Sequence, residues 1–308
     1  MTSELELFER PAAGEIYMLA GWRQWADAGA VSSGLLEWLI EHLSARKIGA
    51  IRSDGFFLFQ TPVSQFLFRP VIKLEEGYRR QLIKPRSEIF YWGNEEKGLV
   101  LFLGDEPHLD VDRYARAFFE VARKLNVKRV AAVGGIHAVV PYDKERAITC
   151  SYSLPHLKEE LSEYAVQFSN YEGSASIGSY LNDQAEALGI EYFSWHAFVP
   201  AYPLSQLHPS LDNVVIERDY KAWLDILRRL DAMFNLGLTL TALAEQSEEL
   251  TRTVQSQIAA LSAKLPHAPI SPAEYIARLT SEFTEMPFVP KGDDIWEDAL
   301  SDIFKDAE

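Results

Sequence analysis

Carboxylate, imidazole and aromatic side chains follow several apolar segments of this chain, where buried strands are expected to end. The carboxyl ends of parallel strands meet at one edge of an α/β sheet, so these side chains are expected to lie close together. Carboxylates beside a histidine, between aromatic walls, could perform general acid–base catalysis on a nucleoside or a similar small ligand. The residues with that chemistry are Asp27, Glu106, His137 and Glu172. Further residues expected to line the same cleft are Trp22, Trp25, Gly134, Gly135, Tyr171 and His196.

The same residues also have simpler structural interpretations. His137 lies in the apolar segment IHAVV and His196 in SWHAF, where a histidine is more often a hydrogen-bonded core residue. Glu106 could cap the helix expected a few residues later, or lie in a surface turn. Glu172 could cap the helix that follows it, although the YEG turn around it is the first set to test for chemistry.

The loop GWRQWADAG, residues 21–29, presents the same choice between packing and ligand binding. Asp27 stands where the N-cap of the next helix is expected, and small residues then occupy positions 28–30 and 32–34. A helix N-terminus can bind an anion, but this loop has neither of the glycine-rich arrangements that hold phosphates. The Asp27 carboxylate would also repel a phosphate. We expect the loop to turn the chain and pack the helix, with ligand contact as the alternative.

Composition excludes several classes of partner. The chain has 308 residues, a net charge of -15 and one cysteine, Cys150. Such acidity disfavours nucleic acids and anionic membrane surfaces, and a lone cysteine excludes an internal disulfide. The first residues do not resemble a signal peptide, and no apolar run is long enough to span a bilayer. We expect a cytoplasmic protein that has no metal, no cofactor, and neither a nucleic acid nor a membrane as partner.

Alternating strand and helix patterns predict a parallel sheet with helices on both faces. Strands are expected at residues 15–20, 50–60, 99–104, 129–140 and 191–198, and helices at 28–46, 111–125, 157–166 and 177–188. Between about residues 69 and 93 the pattern indicates an inserted β-hairpin. After about residue 217 the chain is helical, so we expect an α/β domain over residues 1–215 and a helical region over 216–308.

The helical region contains a long apolar stripe. From Leu236 to Leu265, apolar residues recur in steps of four and three, which is the spacing of a coiled-coil seam. The preceding helical segment, residues 220–234, is about half as long and can cover only half of the stripe. The stripe therefore packs within the chain or against another subunit. In the second case the interface contains Val254, Ile258, Leu261 and Leu265, and the protein is a homo-oligomer. A last amphipathic helix is expected at residues 294–304.

Six short motifs, in the right order, resemble the proteasome assembly chaperone 2 (PAC2) family. They are GW with DAG at residues 21–29, FFLFQ with RP at 56–70, GDEP at 104–107, GG at 134–135 with a later proline, YEG at 171–173, and VPAY at 199–202. The resemblance implies a three-layer α/β/α sandwich of the phosphorylase/hydrolase-like kind. With the patterns above, the expected fold is that sandwich with a β-hairpin insertion and a helical C-terminal arm.

Two features depart from the family pattern. Four residues, 23–26, separate GW from DAG, where the family loop is usually shorter. The chain ends FKDAE, with Ala307 where proteasome-docking relatives have a tyrosine, so docking by the tail is not expected. The resemblance implies a role in protein assembly, so we expect a non-catalytic protein–protein interaction module. Its expected partners are a second copy, as the apolar stripe indicates, and another protein. The alternative is an enzyme or binding protein for a small nucleoside-like ligand at the strand ends.

Overall fold

The computed structural model describes residues 4–23, 25–59, 69–264 and 270–290. The strands are β1 (Leu5–Leu7), β2 (Glu15–Arg23), β3 (Arg46–Ile51), β4 (Val71–Glu75), β5 (Tyr78–Ile83), β6 (Ser87–Gly93), β7 (Lys97–Asp105), β8 (Val127–Ala138), β9 (Ile148–Tyr152), β10 (Gln167–Phe168), β11 (Tyr192–Tyr202) and β12 (Val214–Val215). The helices are α1 (Gly34–His42), α2 (Val111–Lys124), α3 (Leu157–Ser162), α4 (Ile177–Leu188), α5 (Tyr220–Phe234), α6 (Thr241–Lys264) and α7 (Pro272–Glu282).

A mixed ten-stranded sheet forms the middle layer. Its order is β1-β3-β6-β7-β2-β8-β11-β9-β10, and β12 pairs with β11. The four central strands β7, β2, β8 and β11 are parallel, whereas β6 and β9 flank them in antiparallel orientation. The central strands therefore end at the same edge of the sheet, as the alternating pattern predicts.

Helices cover both faces of this sheet. Met18 and Ala20 of β2 pack in one core with α2 and α4, while Leu19 packs on the opposite face with α1, α3, α5 and α6. This alternation follows from the two-residue period of a strand. The expected three-layer α/β/α sandwich is confirmed. Within the described residues, no helix combines the length and the apolar character needed to cross a membrane.

The expected strand at residues 50–60 is wrong. Strand β3 ends at Ile51, and the chain then turns, with Phe56 buried. The Phe56 ring meets the Tyr114 ring edge-on at a centroid distance of 5.4 Å. Phe56 is therefore buried from a loop, whereas Phe59 is 61% exposed, so the aromatic residues of this segment do not form the buried face of a strand.

The apolar stripe of α6 is covered within the chain. Val254, Ile258 and Leu261 are at most 5% exposed and share a core with Ile276 of α7. The expectation that these three residues need a second subunit is therefore wrong, because α7 folds back and covers the part of α6 that α5 does not reach. Leu265 and the helix expected at residues 294–304 lie outside the described residues.

A buried ion pair joins α5 to the sheet side of the molecule. The Arg146 guanidinium, 2% exposed, donates to both carboxylate oxygens of Asp219, 0% exposed, at 2.8 and 3.2 Å. Asp219 also accepts from the backbone N–H of Ala222 and so caps α5. Helix α5 thus shares one core with the sheet, and the domain boundary near residue 215 stays a prediction.

The inserted hairpin, β4 with β5, forms a separate two-stranded antiparallel sheet. Every residue of both strands is exposed. Strand β6, which follows it, instead returns to the main sheet beside β7. We call the hairpin, Val71–Glu75 with Tyr78–Ile83, the arm.

Candidate functional site

An open cavity of about 780 Å³ lies at the ends of the central strands. One side is the sheet, a second is the N-terminal part of α4, and the loop after β2 forms another wall. The lining residues are Trp25, Ala26, Asp27, Ala28, Gly135, Ile136, His137, Thr149, Ser151, Ser169, Tyr171, Gly173, Ser174, Ala175, Ser176, Ser179, Asn182 and His196. Small-molecule sites commonly have volumes of roughly 300–1,000 Å³, so the cavity has room for a ligand of that kind.

Strand register explains why polar groups gather on the cavity floor. His196 of β11 lies opposite Thr149 of β9, and Ser194 lies opposite Ser151. Residues directly opposite one another share a face of the sheet, so these four side chains point to the same side. Helix α4 crosses this face at Ser194, whose hydroxyl lies 3.6 Å from where a Cβ on Gly178 would be.

His196 is half-buried at the floor of the cavity. A Cβ on Gly134 of the neighbouring strand would lie 2.6 Å from its Cδ2 atom, so only glycine leaves room for the ring. Burial lowers the pKa of His196 from 6.5 to about 4, because the charged form loses its hydration. The imidazole makes no hydrogen bond with the described residues, and near neutral pH it offers one donor and one acceptor.

The Asp27 carboxylate is held by the start of the first helix. One oxygen accepts from the backbone N–H groups of Ser32 and Ser33 at 2.8 and 2.9 Å, and the other accepts from the Ser33 hydroxyl at 2.6 Å. Burial raises the pKa of Asp27, although these hydrogen bonds oppose the rise. Asp27 binds backbone N–H groups at the start of a helix, as a capping residue does, but it is not the N-cap of α1. A 3-10 turn over Ala28–Ala30 lies between Asp27 and α1.

Glu106 also has a structural partner. Its Oε1 atom accepts from the backbone N–H of Ile177, the first residue of α4, at 2.9 Å, and its carboxylate accepts from the backbone of Trp25. Burial raises the pKa of Glu106, and these two N–H groups oppose that rise. The prediction that it caps the helix beginning near residue 110 is wrong. Glu106 caps α4 instead, and joins that helix to the loop after β2.

Two of the remaining site predictions are also corrected by the geometry. Trp22 is a core residue, because its Nε1–H donates to the Tyr114 hydroxyl at 2.9 Å and its ring packs on Phe102 beneath α2. Glu172 is exposed and is not among the described residues that line the cavity. Ser176, and not Glu172, is the side-chain N-cap of the following helix.

His137 is exposed at the end of β8 and lines the cavity, so it is not the core histidine that its apolar neighbours suggest. Trp25 and Tyr171 are 59% and 72% exposed and lie among the lining residues. Together with Asp27, Gly135 and His196, these residues are brought to one cavity. Gly134 lies beneath the His196 ring and is not among the lining residues.

Sequence reasoning missed the polar wall that α4 contributes. Asn182 and Ser179 line the cavity one helical turn apart, and the Asn182 Oδ1 atom is buried with no hydrogen-bond partner among the described residues. The serine-rich segment SASIGS at 174–179 is the signal that could have revealed this wall. Serines before a helix are usually caps, as Ser176 is here, so such a segment does not by itself indicate a cavity wall.

In the described part of the chain, no three histidine, cysteine, aspartate or glutamate side chains are grouped closely enough to hold a metal ion. Cys150 is buried on the opposite face from the cavity, and burial raises the pKa of its thiol to about 12, so it is not a nucleophile at neutral pH. The cavity groups can donate and accept hydrogen bonds. The half-buried carboxylates of Asp27, in the cavity lining, and of Glu106 already accept hydrogen bonds from backbone N–H groups at helix starts.

The sequence pattern of the PAC2 family matches residues 22–258, which is most of the chain. The chain belongs to the PAC2 family. None of the curated proteins is a significant match to it.

Solved structures share the PAC2 fold with this chain. A proteasome-assembly chaperone homologue from Mycobacterium tuberculosis is 23% identical, with 79% of this chain and 95% of that chain covered and a TM-score of 0.67. A PAC2 family protein from Streptomyces avermitilis is 22% identical, with 81% and 99% covered and a TM-score of 0.67. The archaeal proteasome activator PbaB from Pyrococcus furiosus is 17% identical, with 82% and 97% covered and a TM-score of 0.56.

In this PAC2 chain the motif glycines allow close packing of the first helix on the sheet. A Cβ on Gly21 would lie 2.0 Å from the Ser32 carbonyl oxygen, and a Cβ on Gly135 would lie 2.0 Å from the Ala28 carbonyl oxygen. No larger residue fits at either position without moving backbone. The glycines of the GW and GG motifs therefore allow the first helix and its preceding turn to pack on the sheet, and Trp25 lies beside the cavity.

Proposed function

We propose that this PAC2 protein is a non-catalytic protein-interaction module of the assembly-chaperone kind, and that its arm makes the contact. Two solved structures that share its fold are those of a proteasome-assembly chaperone homologue and an archaeal proteasome activator. Those roles belong to those proteins. They support the proposal by analogy, and the observation that carries it is the exposed apolar arm of this chain.

The arm has apolar side chains on both of its faces. Ile72 pairs with Leu82, and Leu74 shares their face because it lies two residues from Ile72. The other face carries the three apolar residues Val71, Tyr78 and Ile83. Leu74 is 60% exposed and Tyr78 is 73% exposed. A two-stranded hairpin is at best marginally stable alone in water, so an arm of this kind gains stability when a partner covers it.

The free energy available from covering the arm is substantial. Full burial of one large aliphatic side chain stabilises by about 1.5–3 kcal/mol, and the arm carries five of them. Isolated exposed apolar residues are ordinary on protein surfaces, but a contiguous set on one projecting element marks an interaction site. The arm is therefore suited to insertion against another protein surface.

The charge of the arm favours a second copy of this chain as its partner. The segment 71–84 has four cationic and two anionic side chains, a net charge of +2, within a chain of net charge -15. The rest of each copy is therefore strongly acidic, and charge complementarity steers a basic arm towards it. An arm of one copy seated on the body of the next is a heterologous contact, which closes into a ring when the rotation permits.

The capping roles of the carboxylates support the non-catalytic part of the proposal. Asp27 and Glu106 hold backbone N–H groups at the starts of α1 and α4, and Glu172 is not among the described residues that line the cavity. A general base must reach the proton that it removes, and these two capping carboxylates are engaged with backbone instead.

Light scattering coupled to size exclusion tests the proposal through the variant Leu74→Glu/Leu82→Glu. Both substitutions lie on one exposed face of the arm, so they place charge in the contact without disturbing a core. We expect the wild type to be an oligomer and this variant to be a folded monomer with the same circular dichroism spectrum as the wild type.

The matched control is Leu188→Glu/Val289→Glu, two exposed apolar residues away from the arm. This control adds the same charge and is expected to remain oligomeric. A monomeric wild type at high concentration would overturn the proposal. So would an arm variant that associates like the control.

A further inference from the structure

We infer that the cavity beside α4 is a binding site for an uncharged ligand with a hydroxylated ring, such as a pyranose or a nucleoside without phosphate. This site is separate from the arm, which belongs to another sheet, so the inference does not depend on the proposed function. It rests on the hydrogen-bonding groups that the cavity leaves unused and on the charges that line it.

Two polar groups at the cavity lack partners. The Asn182 Oδ1 atom is buried and accepts no hydrogen bond from any described residue, although such an atom normally has a partner. The His196 imidazole lines the same cavity and makes no hydrogen bond within the described part of the chain. The Asn182 Oδ1 atom has almost no exposed surface, so the amide must rotate before a ligand hydroxyl or N–H can donate to it. Such a bond would remove the cost of about 1–3 kcal/mol that an unpaired buried acceptor carries.

The rest of the polar lining consists mainly of hydroxyl groups. Thr149 and Ser151 lie on the sheet floor, and Ser179 lies on α4 one turn from Asn182. A hydroxyl both donates and accepts, so such a wall matches a ligand whose own polar groups are hydroxyls. The matching chemistry is that of a polyol ring.

The charges of the lining argue against a phosphorylated ligand. Neither lysine nor arginine is among the described residues that line the cavity, whereas the Asp27 carboxylate is. The N-terminus of α4 could otherwise attract an anion, but Glu106 already places a carboxylate on the Ile177 N–H. A phosphate in the cavity would therefore meet negative charge without a cation to balance it.

Two exposed aromatic rings complete the site. Trp25 and Tyr171 lie among the lining residues, on the loops after β2 and before α4. The Tyr171 ring packs over Gly173, where a Cβ would lie 2.3 Å from its hydroxyl oxygen. Aromatic faces of this kind stack on the rings of sugars and bases, and they supply the apolar part of such a site.

Calorimetric titration with two neutral and phosphorylated pairs tests the inference. The probes are adenosine with adenosine 5′-monophosphate, and glucose with glucose 6-phosphate. We expect a neutral probe to bind at millimolar concentration or better, and its phosphorylated form to bind at least tenfold more weakly. Binding within the first pair identifies a nucleoside-like ligand, and binding within the second identifies a sugar.

The variant Asn182→Ala is expected to weaken that binding at least fivefold, because it removes the unpaired acceptor. The control Gln184→Ala changes a neighbouring residue of α4 that is not among the lining residues and is expected to bind like the wild type. The inference is overturned if neither neutral probe binds, if a phosphorylated probe binds more tightly than its neutral form, or if Asn182→Ala leaves the affinity unchanged.

Discussion

The Glu106 carboxylate and the backbone N–H of Ile177 lie 2.9 Å apart, although the two residues are 71 positions apart in the sequence. The contact joins the end of β7 to the start of α4, and the same carboxylate accepts from the backbone of Trp25. One side chain thus holds two of the walls that border the cavity. Its role is structural. Because the Glu106 carboxylate occupies the Ile177 N–H, the N-terminus of α4 is less able to attract an anionic ligand to the cavity.

Replacing Glu106 with alanine is expected to lower the free energy of unfolding by about 1–2 kcal/mol, the usual value of a helix cap. Glu106→Gln keeps an acceptor for the Ile177 N–H and is expected to lose about half as much, because only the charge–dipole contribution disappears. Urea denaturation measures both. Equal stability of the wild type and Glu106→Ala would contradict the capping role.

The low pKa of His196, about 4, makes stability depend on pH. The unfolded histidine binds a proton near pH 6.5 and the folded one only near pH 4, so the contribution of His196 is present above pH 6.5 and is lost as pH falls to 4. The full loss is at most about 3.5 kcal/mol. The variant His196→Gln cannot be protonated, so its unfolding free energy should fall less than that of the wild type between pH 6.5 and 4. Equal decreases in the unfolding free energy of the wild type and of His196→Gln over this pH range would contradict the prediction.

Asp225 is expected to act in the opposite direction. Burial raises its pKa from 3.8 to about 6, although Lys221 and the Arg146 N–H oppose the rise. Its stabilising contribution is present below pH 4 and is lost as pH rises through 6, with a full span of at most about 3 kcal/mol. Denaturation at pH 4 and pH 7 should therefore show Asp225→Asn gaining stability relative to the wild type at the higher pH. If the stability of Asp225→Asn relative to the wild type decreased from pH 4 to pH 7, the prediction would be refuted.

The predictions from sequence succeed where one periodic pattern decides the structure. Helix α4 has the bounds expected from its sequence, and α2 differs from its expected bounds by one residue. The start of the first helix is not predicted correctly. Asp27 is a residue type that favours the N-cap, but Gly29 adopts a left-handed φ of 62° and interrupts the helix after it. Such a local interruption depends on the packing of the turn against β11 and α5, which a short sequence window does not contain.

The site could be predicted in part for the same reason. Asp27 after β2 and His137 at the end of β8 follow from the rule that parallel strands end at one edge, and both line the cavity. His196 also lines it, but from the middle of β11, which continues to Tyr202 beyond the strand end expected at residue 198. Asn182 lies inside a helix, and its contribution depends on how α4 crosses the sheet. Trp22 resembles a cleft residue in sequence, but it packs beneath α2, a contact made 92 positions away.

Breaking the buried pair of Arg146 and Asp219 is expected to cost about 3–5 kcal/mol, because either partner alone leaves a buried charge uncompensated. Asp219→Ala also removes the cap of α5. The exposed pair of Arg80 and Glu75 on the arm is the matched control, and Glu75→Ala should change the unfolding free energy by less than about 1 kcal/mol. Equal effects of the two substitutions, measured by urea denaturation, would contradict this account.

Hydrogen exchange of the arm as a function of protein concentration tests the central claim most directly. An uncovered two-stranded hairpin exchanges its backbone amides quickly, whereas a hairpin seated on another copy is protected. We predict that exchange at Val71–Glu75 and Tyr78–Ile83 slows at least tenfold between dilute and concentrated wild-type protein. In Leu74→Glu/Leu82→Glu it should stay fast at both concentrations. Exchange that is equally fast in the wild type at every concentration would contradict an arm-mediated assembly.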